Sequence, residues 1–196
     1  MKLLLLLTAI SLFSTSAFSQ LNKNQFLVGG NVSFSSLTNK GDDLKKNRST
    51  TFQFAPDIGY FIFDQLVLGG KIGISFYKST VDYAVPYNYK TSSINLSPFV
   101  RYYILPKMKK VNVFAETDFS FLRATETDLS GEYKLKKNGS AYTVLAGPVY
   151  FVNPHVALEF TVAYNSSKYA DDSYFINTFM TGLGLQIHLG GKKNKS

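Results

Sequence analysis

From Phe26 to Leu189 the chain alternates apolar residues with small or polar ones, the two-residue period of a β-strand whose faces meet unlike surroundings. Phe26, Val28, Gly30, Val32 and Phe34 share one face of the first such segment, with Gly29, Asn31, Ser33 and Ser35 on the other. In the second, Phe52, Phe54, Pro56, Ile58 and Tyr60 oppose Thr51, Gln53, Ala55, Asp57 and Gly59; in the third, Leu66, Leu68, Gly70, Ile72, Ile74 and Phe76 oppose Gly69, Lys71, Gly73 and Ser75. The fourth sets Ile94, Leu96, Pro98, Val100 and Tyr102 against Asn95, Ser97, Phe99, Arg101 and Tyr103. The fifth sets Val111, Val113, Ala115, Thr117, Phe119 and Phe121 against Asn112, Phe114, Glu116, Asp118 and Ser120. Less clean is the sixth, Tyr142, Val144, Ala146, Pro148 and Tyr150 against Thr143, Leu145, Gly147 and Val149. The seventh pairs Val156, Leu158, Phe160, Val162 and Tyr164 with Ala157, Glu159 and Thr161. The eighth puts Phe175, Phe179, Leu183, Leu185, Ile187 and Leu189 opposite Thr178, Met180, Gly182, Gly184, Gln186 and His188. No segment carries a 3.6-residue period, so the chain is all-β.

The connections at Phe63–Gln65, Leu105–Lys110 and Val152–His155 are short, whereas those at Leu37–Ser49, Lys78–Lys90, Arg123–Gly139 and Asn165–Asp172 are long and polar. Strict alternation of short and long connections is the layout of an eight-stranded antiparallel up-and-down transmembrane β-barrel, with brief periplasmic turns and extended outer loops. An even strand count puts both ends of the barrel, and so both termini, on the periplasmic side.

A soluble lipocalin-like barrel also alternates, with its apolar face turned inward. Here the polar stripe carries only Asp57, Lys71, Arg101, Glu116, Asp118 and Glu159 as charges and is otherwise mostly small, which fits a narrow lumen better than a water-facing surface. Aromatics gather at the strand ends: Phe34, Phe52, Phe54, Phe76, Phe119, Phe121, Tyr164 and Phe175 toward the long connections, Phe26, Tyr60, Tyr102 and Tyr150 toward the short ones. Rings at both margins suit the two headgroup layers of a bilayer. The inward charges can also pair. A turn centred on Asp64 sets Asp57 opposite Lys71, and Arg101 falls near or diagonal to Glu116. On this reading a lysine is tolerated better at inward Ser97 than at outward Leu96.

The N-terminus adds a compartment. Lys2, the apolar run Leu3–Phe13, and Ala17 and Ser19 at −3 and −1 of a cleavage point form a secretory leader over residues 1–19, leaving residues 20–189 as barrel and 190–196 as a basic periplasmic tail with Lys192, Lys193 and Lys195. The apolar run is too short for a helical membrane anchor, and none of 18 residues recurs after it.

Composition narrows the chemistry. The 196 residues include no Cys, no Trp and two His, which excludes a disulfide scaffold, a thiolate metal site and a catalytic thiol, and leaves too few ligands for a His-rich centre; no metal and no cofactor are expected. The formal net charge is +8, or +7 once Lys2 leaves with the leader. Part of it is the run Lys45, Lys46, Asn47, Arg48 in the first long connection, beside Asp42 and Asp43. That run is either a solvated loop or a contact for lipopolysaccharide phosphates or another acidic surface ligand. No basic surface interleaved with aromatics points to nucleic acid. His155 and His188 both map to the periplasmic end, the wrong end for a lipid hydrolase or acyltransferase, and Glu116 and Asp118 beside Arg101 suit an ion pair better than an acid–base pair.

The stretch Pro56-Asp57-Ile58-Gly59-Tyr60-Phe61-Ile62 running through Asp64-Gln65 into Leu66-Val67-Leu68-Gly69 resembles the small outer-membrane β-barrel proteins of Gram-negative bacteria, the outer membrane protein beta-barrel domain group, similar in architecture to OmpX and the OmpA barrel. Gly184, Ile187 and Leu189 resemble the C-terminal signal read by the barrel-insertion machinery, although the usual terminal aromatic is absent. The resemblance implies an outer-membrane location among lipids and lipopolysaccharide, and no particular reaction. The expectation is therefore a monomeric, non-enzymatic structural or surface-interaction protein acting through four long outer loops. The competing readings are a narrow channel, a secreted soluble ligand-binding barrel and a lipid-modifying enzyme.

Overall fold

The computed structural model describes residues 21–190 apart from 41–45, 83–86, 107–109 and 129–133, and without the side chains of 37–40, 46–47, 81–82 and 87–88. The leader, Lys45 and the basic tail lie outside the described residues. Eight strands run in chain order: β1 (Phe26–Lys40), β2 (Lys46–Phe63), β3 (Leu66–Asp82), β4 (Tyr87–Tyr103), β5 (Val111–Asp128), β6 (Lys134–Phe151), β7 (Val156–Tyr169) and β8 (Ile176–Leu189). Each pairs antiparallel with the next, and β1 pairs with β8 to close the barrel. The Asp64–Gln65 turn holds the expected register, with Asp57 opposite Lys71, and Gln65 takes a positive φ of 67° to make it. Arg101 falls opposite Glu116.

Outward positions form a continuous apolar band, including Phe54, Ile72, Leu96 and Leu158, all exposed. Along β1 the band runs from Phe26 to Phe34 and along β2 from Phe52 to Tyr60, matching the roughly 9–11 residues with which a tilted strand crosses a bilayer. A soluble barrel would turn this face inward, so the secreted ligand-binding reading falls. Lysine at Leu96, 58% exposed within the band, is expected to cost ~2–4 kcal/mol in vesicle refolding. The mild counterpart is inward Ser93. Ser97, the inward position expected to tolerate lysine, does not serve, because it is buried against the Ser120 hydroxyl at 2.6 Å and has no room for a longer side chain. Equal costs at Leu96 and Ser93 would refute the lipid-facing assignment.

The long connections expected from the sequence are, against that expectation, largely paired strand. β1 and β2 stay in register out to Lys40↔Lys46, β3 and β4 to Val81↔Tyr87, and β5 and β6 to Thr127↔Lys134. Lys46 and Arg48 thus belong to β2 rather than to a loop. Beyond the band both faces of the sheet meet water, so nothing forces alternation there and the two-residue signal fades while the ladder continues.

Candidate functional site

The lumen has three storeys. At the end carrying both described termini, inward side chains make an apolar floor: Leu27 from β1, Phe61 from β2, Val67 from β3, Tyr103 from β4, Phe114 from β5, Val149 and Phe151 from β6, and Ala157 from β7, all buried. Tyr103 packs against Phe61 at a ring separation of 6.0 Å and against Phe114 at 6.2 Å, and the His188 ring from β8 lies 5.4 Å from that of Phe151. The segment before β1 completes the floor. Leu21 is fully buried in it. The Leu21 carbonyl accepts from the Gln65 amide at 3.0 Å, and the Asn24 amide donates to the Phe61 carbonyl at 2.9 Å. The Gln65 side chain donates to the Tyr103 and Leu105 carbonyls, each at 2.7 Å, locking the neighbouring turn.

Above the floor lies the charged layer, and all six charges read from the sequence are in it. Arg101 on β4 reaches both along the wall and across the lumen: Nε donates to Glu116 Oε2 on β5 at 2.5 Å, Nη1 to Glu159 Oε1 on β7 at 2.8 Å. Its guanidinium sits over the Phe114 ring, 4.5 Å from the centroid, so the floor packs against the cation from below. Lys71 on β3 passes over Phe99, 5.3 Å from that ring, to bridge Glu116 and Asp118, the latter at 3.0 Å. Ser120 donates to Asp118 Oδ1 at 3.2 Å.

Asp57 departs from the expected pairing with Lys71. The backbone register is as anticipated, yet Asp57 takes its hydrogen bond from Gln186 Nε2 on β8 at 3.0 Å. Gly29 explains this. It stands between them, paired with Asp57 on one side and Gln186 on the other. A Cβ there would collide with Gln186 Oε1 and the Leu185 carbonyl, so the missing side chain is what lets Gln186 lie across β1. Gln186 is the member of the layer that the sequence did not single out; the signal was a long amide at an inward position facing a glycine in the closing strand.

At the far end the lumen opens into a cup of about 280 Å³. Hydroxyls and amides dominate its walls and bond one another, as in Asn31 Nδ2 to Thr161 Oγ1 at 3.1 Å and Ser75 to Ser93 at 2.5 Å. Higher still, Lys137 bridges Glu126 at 3.6 Å and Asp172 at 3.8 Å. Arg48 is exposed on β2 near this rim, remote from the charged layer. His155 lies in the β6–β7 turn and His188 in the floor, both far from the cup. Among the described residues no group of three or more His, Asp or Glu is placed to hold a metal ion.

A closed eight-stranded barrel with a bilayer-deep apolar belt, aromatic margins and a charged, plugged interior is an integral outer-membrane barrel. The model of the family described as outer membrane protein beta-barrel domain matches residues 5–190, and the chain belongs to that family. Its location is the bacterial outer membrane. Among solved structures, the chain is similar to Neisserial surface protein A at 17% identity, covering 83% of this chain and 96% of that one with a TM-score of 0.53. It is also similar to the outer membrane protein OprG from Pseudomonas aeruginosa at 10% identity, covering 90% and 100% with a TM-score of 0.59. Likeness at these identities concerns the fold alone. The comparison with curated proteins finds no match.

Proposed function

We propose that this is a non-enzymatic barrel that keeps its floor and termini in the periplasm, presents its cup and extended strands at the cell surface, and works by contact there. The contrast between the two ends carries the reading: one is closed by buried rings, the other is an open polar cup whose rim strands continue past the apolar band. The placement of both histidines away from the cup supports a role without nucleophile–base chemistry. The filled floor argues against conduction. On this orientation Lys45, Lys46 and Arg48 meet lipopolysaccharide phosphates as a monomer's surface contact, and the Gly184–Leu189 strand end serves the barrel-insertion machinery.

The absence of cysteine makes the test clean. In intact cells a membrane-impermeant maleimide is expected to label Asp171→Cys, in the β7–β8 connection, and to spare Lys110→Cys, in the β4–β5 turn, until the outer membrane is permeabilised. The opposite pattern would overturn the orientation.

A further inference from the structure

We propose that the cup binds one neutral sugar ring, seated with its flat face on Tyr77. The ladder builds the seat. Thr51 on β2, Tyr77 on β3 and Thr91 on β4 stand directly opposite one another, so the tyrosine is flanked by a hydroxyl on each side at a single height of the wall. Gln53 lies one inward step deeper, opposite Ser75. All of these side chains line the cup, and all are half-buried. Tyr89 packs on Tyr77 with ring centroids 5.7 Å apart, which steadies the platform from the side of the rim.

The chemistry of the walls selects the ligand. Much of the cup's polar lining is already bonded to itself, as in Ser75 to Ser93 and Asn31 to Thr161. Among the described residues no hydrogen bond engages the side chains of Thr51, Gln53 or Thr91, so the hydroxyls and the amide around Tyr77 keep donors and acceptors for a guest. The charges, by contrast, are taken. Lys71 at the base is bonded to Glu116 and Asp118, and Lys137 at the rim to Glu126 and Asp172. An ionic guest would have to break those pairs; an uncharged one leaves them whole.

A sugar ring matches what is left. Its edges carry hydroxyls that both donate and accept, and its faces carry C–H groups, which settle on the electron-rich face of an aromatic ring. Across the cup, β5 to β7 set Leu122, Ala124, Ala141, Leu145 and Ala163 among their own hydroxyls and amides, an apolar surface for the opposite C–H face. At about 280 Å³ the cup falls just below the roughly 300–1,000 Å³ of drug-sized sites, which is room for one ring rather than a chain of them.

This inference deepens the surface-contact reading and rests on it for its setting. Binding itself is measured without reference to orientation, so its failure leaves the maleimide pattern to stand or fall alone. The protein is refolded into phosphatidylcholine vesicles free of lipopolysaccharide. Saturation transfer from barrel to ligand is then titrated by NMR with the methyl glycosides of glucose, galactose, mannose and N-acetylglucosamine. Saturable transfer to at least one of them is expected. Affinity should fall roughly fivefold or more in Gln53→Leu, which removes a hydrogen-bonding amide, and in Tyr77→Leu, which removes the ring face. Tyr77→Trp keeps a ring face and should still bind, and Phe54→Leu, on the lipid-facing band, should bind as the unaltered protein does. No saturable transfer to any of these glycosides, or equal affinity in the unaltered protein and the leucine variants at Tyr77 and Gln53, would overturn the proposal. So would tighter binding of glucosamine or glucuronate than of the neutral sugars. The heat-dependent shift in gel migration checks that each variant is folded, and Gln53→Leu decides alone should Tyr77→Leu fail to refold. Lipopolysaccharide added to the vesicles separates the sources of the ring: displacement of the glycoside assigns the site to the membrane's own saccharide, and undiminished binding to a sugar from outside.

Discussion

Replacing Arg101 with methionine should cost about 3–5 kcal/mol of stability, the range for removing one partner of a buried ion pair. Arg101 is buried, and it is the cation bonded to Glu159 while sharing Glu116 with Lys71. Methionine restores the length of the stem and none of the charge, so Glu159 is left buried with no cation at hand. Adding Glu159→Leu to Arg101→Met should recover most of the loss, because a pair replaced on both sides by apolar groups leaves nothing stranded. Urea titrations in vesicles, read by the heat-dependent shift in gel migration, measure both variants. A double variant as unstable as the single one would show that Arg101 acts through packing on Phe114 rather than through charge.

The second large effect is at the floor. Tyr103 is fully buried and touches Phe61, Phe114 and His188. Its truncation to alanine should cost about 3–5 kcal/mol, as for other buried aromatics. Together with Phe61→Ala it should also open a path: step conductance is expected in planar bilayers for the double variant and none for the unmodified barrel. Steady conductance of the unmodified protein, equal to that of the variant, would restore the narrow-channel reading and sink the account of the floor as a seal.

Much of this architecture is legible in the residues because lipid imposes it. A strand crossing hydrocarbon must put apolar side chains on one face, so Phe26 to Phe34 and Phe52 to Tyr60 announce their segments and their orientation. The charged layer follows from the same faces, and the register of Asp57 with Lys71 could be counted from the turn at Asp64, whereas the longer β4–β5 connection fixed Arg101 only as near Glu116. What local pattern could not supply were relations made by closure. Asp57 meets Gln186 only because β8 comes round to β1, and Arg101 meets Glu159 only across the lumen. The floor escaped for a different reason. Phe99, Tyr103 and Phe114 were visible on the inward stripe, but that stripe was read by its small and charged members, and the rings become a layer only when several strands bring them to one height. The strands' continuation past the belt had no signal at all, since two wet faces impose no alternation.

The floor draws on every one of the eight strands and on Leu21 as well. Such a cluster cannot be assembled piecemeal. An intermediate lacking the last hairpin would carry a plug without Ala157 and His188, with rings turned to water and Arg101 facing no Glu159. Final zippering of β8 onto β1 is therefore the event that makes the interior self-consistent, and maturation of this protein should be all-or-none, with half-built cylinders left as substrates for periplasmic quality control.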